Sequence, residues 1–431
     1  MTLLNLDKEL IWHPYTQEKL SPESLLIEKA KGPYLYTKDG RKIFDAISSW
    51  WVNLHGHCHP YIQEKIKDQM ENFEQILLAG HTHEKAITLA EKLLKKLPQD
   101  FKKVFYSDNG STAVETALKM ALQYWHNKGE NKNRILAFRN GYHGETFGAM
   151  SVSGLEAQKT PFLSHLFKTD FIQPPLKGRL DAVNKSIQDL KNEIEKGKDI
   201  AAFIYEPMIQ GAGGMLVHEA QGLNELIKIC KENGILCIAD EVMTGFGRTG
   251  KLFGSDHMEE KPHIICLAKG LTGGTLPLAV TACTQELYEA FLSEDKNKAL
   301  LHGHSYSGNA LGCASAIANL ELLDRPETIN QIENIENLNR QFKEKIEKSH
   351  HYLKTVQEIR HQGTVIAIEL KTDEKSGYFN QAAKKIGQYF LKENILIRPL
   401  GNVIYLVPPY SSPTDEMKCT FKCIEDFLEV L

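Results

Sequence analysis

The chain has 431 residues, 42% of them hydrophobic, enough to bury a substantial core and to divide into a large and a small domain. Its formal net charge of −4 excludes nucleic acid as the main partner, because there is no basic excess to neutralise phosphates. No apolar run approaches the roughly 20 residues that span a bilayer, the first residues lack the pattern of a signal peptide, and the eight cysteines are scattered without a CxxC pair. A soluble, cytoplasmic protein with no membrane partner is expected.

In chain order, short strands are expected around Tyr34–Tyr36 and Ile43–Phe44, joined by a turn at Asp39-Gly40. From residue 85 to 325 or so, strand-like runs alternate with helix-like segments, the pattern of a largely parallel sheet covered by helices. Lys103–Tyr106 is the first run. After it, Gly110 permits close approach and Ser111-Thr112 open an amphipathic helix through Ala121, a start whose backbone N–H groups suit a phosphate. Glu115 can at the same time close a capping box with Ser111 or Thr112. Arg134–Phe138 is the next strand, followed by Gly141-Tyr142-His143-Gly144; Ala201–Tyr205 is another, ending on Glu206.

Two further runs end on ionisable residues. Ile235–Ala239 delivers Asp240 at its tip, and Ile264–Ala268 ends on Lys269, with the Gly-rich turn Thr244–Arg248 between them. Cys237 and Cys266 sit inside these runs and read as small core residues. An acid and a lysine at successive strand ends suit a lysine that binds pyridoxal 5'-phosphate (PLP) covalently, with the acid holding the pyridine nitrogen. Beyond, a charged helical stretch near 328–349 crosses into a C-terminal region with strands at Val365–Ile368 and Val403–Val407. His302 and His304 have no third ligand at useful spacing, so no metal is expected.

The segment Asp240–Arg248 with Lys269 resembles the class III, or ω-, aminotransferases of PLP fold type I, and the likeness runs over nearly the whole chain. The resemblance implies an α/β fold: a large domain with a mainly parallel seven-stranded sheet, over 49–325, and a smaller α+β domain built from 1–48 and 326–431. It implies that Lys269 and Asp240 are catalytic, that Gly110 and Ser111 bind the phosphate, and that Tyr142 stacks on the pyridine. Glu206 becomes a partner near the cofactor, where the residues alone allow a plain loop carboxylate; His143 reads equally as a core histidine. Relatives often carry Asp where Glu145 stands. The loop His302–Asn309 resembles the one that reaches the neighbouring subunit's PLP, with His304 and Ser305 at its phosphate and Gly303 beside the substrate. This implies a homodimer with shared active sites.

Within the family, three segments narrow the likeness: Ile11–Thr16, Ser48–Trp51 with His55-Gly56-His57, and Arg398–Gly401 with Tyr405–Tyr410. They resemble the members that aminate 8-amino-7-oxononanoate in biotin synthesis, with S-adenosylmethionine as amino donor. That substrate is a long apolar chain ending in a carboxylate. Trp50 and Trp51 can wall an apolar tunnel, with Tyr405 in the same segment set and Tyr15 and Tyr142 shaping the reactive end, where Tyr15 joins the catalytic side chains. Arg398 can hold the distant carboxylate with a two-pronged contact. The plainer reading makes the tryptophans core residues and Arg398 a surface ion pair. Arg248 either lies against the substrate or buttresses the Gly-rich turn. Many relatives that use adenosylmethionine have Pro-Thr where this chain has His304-Ser305, whereas some lysine-using relatives have His-Ser, so both donors stay open. The neighbouring alternative is an ω-aminotransferase for ornithine, γ-aminobutyrate or a diamine; a PLP-binding regulator lacks a DNA-binding segment here.

Overall fold

In a computed structural model, residues 2–374, 376–377 and 380–431 are described. Seven strands form the central sheet, in the order Phe101–Ser107, Ala279–Thr284, Ile264–Leu267, Leu236–Asp240, Ile200–Tyr205, Arg134–Phe138, Asp170–Ile172. Neighbours from Ile264–Leu267 onward pair in parallel, and Ala279–Thr284 runs against both of its neighbours. Ile200–Tyr205, Leu236–Asp240 and Ile264–Leu267 are buried at every position, as strands covered on both faces must be. Cys237 and Cys266 are wholly inside this core.

Two strands of the sheet carry no pattern that announces them. Asp170–Ile172 is three residues long, and Ala279–Thr284 mixes small apolar residues with threonine and has no period of two.

The helix after the first strand runs Gly110–Asn127 and buries Ala113, Ala117 and Ala121 against Ile238, Ile264 and Cys266. Small side chains on that face let the helix approach the sheet closely. Its cap differs from the expected one. Asn109 is the N-cap: its side chain accepts the Thr112 N–H at 3.1 Å, and Thr112 Oγ1 accepts the Asn109 N–H at 3.2 Å. A capping box joins the N-cap to the third helical residue, and a helix starting at Gly110 puts Thr112, not Glu115, in that place. Glu115 instead accepts the Thr146 hydroxyl at 2.6 Å and the Gly148 N–H at 2.8 Å, capping the helix Phe147–Val152.

The two ends of the chain meet in smaller sheets. Ile27–Lys31, Tyr34–Thr37 and Lys42–Asp45 form an antiparallel set, with Gly40 at φ +89° in the expected turn, and Ile395–Leu396 adds in parallel to Lys42–Asp45. Val356–Gln362, Val365–Leu370 and Val403–Leu406 form a second antiparallel sheet. Val407 lies just past it and donates its N–H to Ala46 O at 2.9 Å, tying the two segments together. The long helix Pro326–Lys348 packs here through Ile332, Ile335, Leu338, Phe342 and Ile346. Among the described residues no helix is long and apolar enough to cross a membrane.

Candidate active site

A cleft of about 450 Å³ opens beyond the C-terminal ends of Leu236–Asp240 and Ile264–Leu267, and both Asp240 and Lys269 line it. Open parallel sheets place ligands at this edge, where strand tips and helix starts converge. Asp240 is 4% exposed, and its Oδ2 lies 2.7 Å from Nδ1 of buried His143. A carboxylate only accepts, so the Nδ1 proton sits on His143. The other carboxylate oxygen accepts the Val242 N–H at 3.1 Å. Lys269 has φ +43°, a left-handed conformation that costs a side-chain-bearing residue about 1–2 kcal/mol. Burial pushes its amine below the ordinary lysine range, against the opposing pull of Asp240 and Glu206.

Gly110, Ser111, Tyr142 and His143 share this cleft. A Cβ on Gly110 would meet Val242 Cγ1 at 2.8 Å, so only glycine keeps the helix start open at this point. Ser111 Oγ accepts the Glu145 N–H at 3.1 Å, which docks the Tyr142-His143-Gly144 loop onto the helix start. Glu206 accepts the N–H groups of Tyr142 at 3.1 Å and Gly211 at 3.0 Å. Burial raises its carboxyl to about 7, with His143 opposing and the Asp240 charge adding to the rise. Tyr142 is also raised, by burial and by its contact with Tyr15, and Tyr15 in turn donates to Glu145.

From Lys269 an aromatic wall leads away. The Lys269 Nζ stands 4.7 Å from the Trp51 ring, and the Arg398 guanidinium carbon stands 4.7 Å from the Trp50 ring. Trp51 is 4% exposed and donates its indole N–H to Tyr405 OH at 3.2 Å; Trp50 is 37% exposed and meets the Tyr15 ring edge-on at 5.6 Å. Ser48, Ser49, Trp50 and Trp51 all have positive φ, a left-handed turn of four side-chain-bearing residues at about 1–2 kcal/mol each.

Comparison with known proteins gives the family. Residues 15–428 match the aminotransferase class-III family. The chain belongs to the class III aminotransferases. It is 43% identical over 424 residues to the adenosylmethionine-8-amino-7-oxononanoate aminotransferase of Synechococcus elongatus, covering 97% of this chain and 98% of that one. It is 38% identical over 435 residues to the protein of that name from Helicobacter pylori, covering 100% and 97%. Its structure superposes on the crystal structure of the protein of that name from Methanocaldococcus jannaschii with a TM-score of 0.92, at 39% identity over 99% of this chain and 98% of that chain. An ω-transaminase of Pseudomonas jessenii, crystallised with PMP, superposes at 0.91 with 27% identity, covering 99% and 98%.

This aminotransferase is PLP-dependent, as its class is, and the residues present fit that cofactor. The pinched glycine at the helix start leaves room for a phosphate, the acid at the strand tip faces the cleft, and a buried lysine amine stands beside them. Arg248 lies elsewhere. It is 1% exposed and donates to Pro408 O at 2.7 Å and Asn53 O at 3.1 Å, so its geometry is that of a buttress under the Gly-rich turn. Gly303 and Ser305 are exposed on a loop outside the cleft wall, whereas His304 Nε2 comes within 3.1 Å of Oδ2 of the cleft-lining Asp108. Asp108, Val242 and Met243 also line the cleft and carried no signal in the sequence, being a loop acid and two apolar residues among many.

Proposed function

We propose that this aminotransferase moves an amino group from S-adenosylmethionine, or from lysine, to the C7 ketone of 8-amino-7-oxononanoate, giving 7,8-diaminononanoate for biotin synthesis in the cytoplasm. The observation that carries the reading is the pair of tryptophans: one ring lies against Lys269 and the next against Arg398. A long apolar chain with a ketone near one end and a carboxylate at the other matches a wall that begins at a reactive amine and ends at a cation. A short ω-amino acid needs no such wall. The names of the close relatives support the same substrate.

When bound, PLP supplies an electron sink for charge developing at the amine-bearing carbon. Lys269, its amine held below the usual range by burial, takes the proton at that carbon and returns it across the reacting atoms. Asp240 would face the pyridine nitrogen, held in place by His143 and by the Val242 N–H. Gly110 and Ser111 would hold the phosphate, and Tyr142 would cover the ring with Tyr15 behind it. Arg398 binds the remote carboxylate, while Trp50 and Trp51 exclude water along the chain. The exposed loop with Gly303 and Ser305 supports a homodimer in which each subunit completes its partner's site. The chain divides on this reading at residues 48 and 325, with the N-terminal segment joining the C-terminal small domain.

The test is the visible absorbance of the PLP-loaded protein as S-adenosylmethionine or lysine is added, followed by 8-amino-7-oxononanoate. Loss of the band with one donor and its return with the keto acid names the donor and the acceptor. Bleaching by ornithine or γ-aminobutyrate, with no return on adding the oxononanoate, would replace this substrate with an ordinary ω-amino acid.

A further inference from the structure

The tryptophan wall stands on a left-handed turn, and something must hold that turn. The residue in place to do so is Asp45, which ends the strand Lys42–Asp45 and is 0% exposed. Its Oδ1 accepts the Ser49 N–H at 2.9 Å, and its Oδ2 accepts the Ser49 hydroxyl at 2.7 Å and faces His57 Nε2 at 2.9 Å. An ionised carboxylate accepts without donating, so three donors from Ser49 and His57 converge on it. Asp45 is not among the residues lining the cleft, and neither are Ser49 and His57, its partners in these three contacts.

The two tryptophans depend on this support differently. Trp51 is anchored by its indole on Tyr405 and by its backbone N–H on Ile47 O at 2.8 Å. Trp50 follows Ser49 directly, at φ +84°, and its ring carries the Arg398 contact. Rotation of Ser49 out of the left-handed region would swing Trp50 and take the aromatic face away from the guanidinium.

We propose that Asp45 is a positioning residue for the carboxylate end of the keto acceptor: by holding Ser49 left-handed it sets Trp50 against Arg398 and fixes the guanidinium for a two-pronged contact. The inference rests on the assignment of Arg398 made under the proposed function.

The experiment compares holoenzyme variants by the KM for 8-amino-7-oxononanoate, the KM for the donor, kcat, and the calorimetric dissociation constant of nonanoate, an unreactive chain with the same carboxylate. Asp45→Asn is expected to raise the keto-acid KM and the nonanoate constant by roughly tenfold, the loss of about one charged hydrogen bond, with donor KM and kcat held within about twofold. Adding Ser49→Gly to Asp45→Asn is expected to restore most of the loss, because glycine takes positive φ without a Cβ clash. Ser49→Val, at an exposed position, is expected to match Asp45→Asn, since a β-branched side chain resists that conformation; it carries the test alone if Asp45→Asn does not fold.

Lower thermal stability with both affinities unchanged, or a fall in kcat alone, would overturn the proposal, as would failure of the glycine to rescue. Arg398→Ala is the control. If it leaves nonanoate binding intact, the substrate reading fails and the proposal with it. If it abolishes binding while the Asp45 and Ser49 variants bind normally, only the role of Asp45 falls.

Discussion

His143 donates its Nδ1 proton to Asp240 across 2.7 Å, with both side chains buried beside the cleft. The contact fixes which way the strand-tip carboxylate faces and adds a charge-assisted bond in a dry environment. His143→Leu removes the donor while keeping an apolar side chain in the core. The expected outcome is a loss of about 1.5–3 kcal/mol of support for the ionised carboxylate, read as a kcat roughly 10–100-fold lower, with weaker PLP retention measured by dialysis and cofactor titration. Unchanged kcat and cofactor affinity would reduce His143 to a core residue.

Lys269→Ala is expected to abolish turnover and the visible band of the PLP-loaded protein together, because among the described residues no other lysine lines the cleft. Turnover without the band would remove the lysine from the mechanism.

Glu206 gives a pH signature. Burial raises its carboxyl in the fold from 4.5 to about 7. Between those values the folded protein holds a proton that the unfolded chain has released, so stability falls as pH rises through that window. Below pH 4.5 both states are protonated, and above about 7 both are ionised, so the slope vanishes outside it. Thermal unfolding of the cofactor-free protein is expected to show this component in wild type and to lack it in Glu206→Gln. Parallel profiles for the two proteins would show that Glu206 titrates at its ordinary value.

The strand tips that carry Asp240 and Lys269 were legible because each closes an unbroken apolar run, and such runs are what a sheet covered on both faces requires. The helix start at Gly110 was legible to within one residue, but its cap was not. Asn109, Thr112 and Glu115 all suit caps, and only the start of the helix decides which pair closes. The left-handed turn at Ser48–Trp51 left no trace, since none of its residues is the glycine that usually marks positive φ. Its cause is tertiary: a carboxylate on one side, and the Val407 O that accepts the Ser48 hydroxyl at 2.7 Å on the other. Ala279–Thr284 was hidden for a simpler reason, since small residues and threonines carry neither a strand period nor a hydrophobic block.

Arg248 separates a support role from a substrate role. Its guanidinium satisfies the carbonyls of Pro408 and Asn53 from a position with almost no exposure, and the Tyr410 ring lies 5.1 Å away. Removing it strands two buried acceptors and opens a cavity. Arg248→Ala is expected to cost about 3–5 kcal/mol, seen as a lower midpoint in urea, with the keto-acid KM little changed in the fraction that stays folded. A normal midpoint with a raised KM would return Arg248 to the substrate.

Arg398 is half-buried, and its flat guanidinium lies against Trp50 instead of being swallowed by the core. A delocalised cation keeps much of its favourable energy while lying over an indole, and a guanidinium has the planar fork of donors that a carboxylate can meet with two bonds. Arg398→Ala is expected to weaken 8-amino-7-oxononanoate by about 2–5 kcal/mol, since the substrate carboxylate is then left desolvated without a partner. Arg398→Lys keeps the charge and loses both the stack and the two-pronged geometry, so its KM is expected between those of wild type and the alanine variant. The donor half-reaction with S-adenosylmethionine, followed alone by single-turnover absorbance, is expected to keep its rate in the lysine variant, because that donor's carboxylate sits on the amine-bearing carbon and not at the far end of the wall. Equal losses for donor and acceptor would mean that Arg398 shapes the site as a whole and does not read the remote carboxylate.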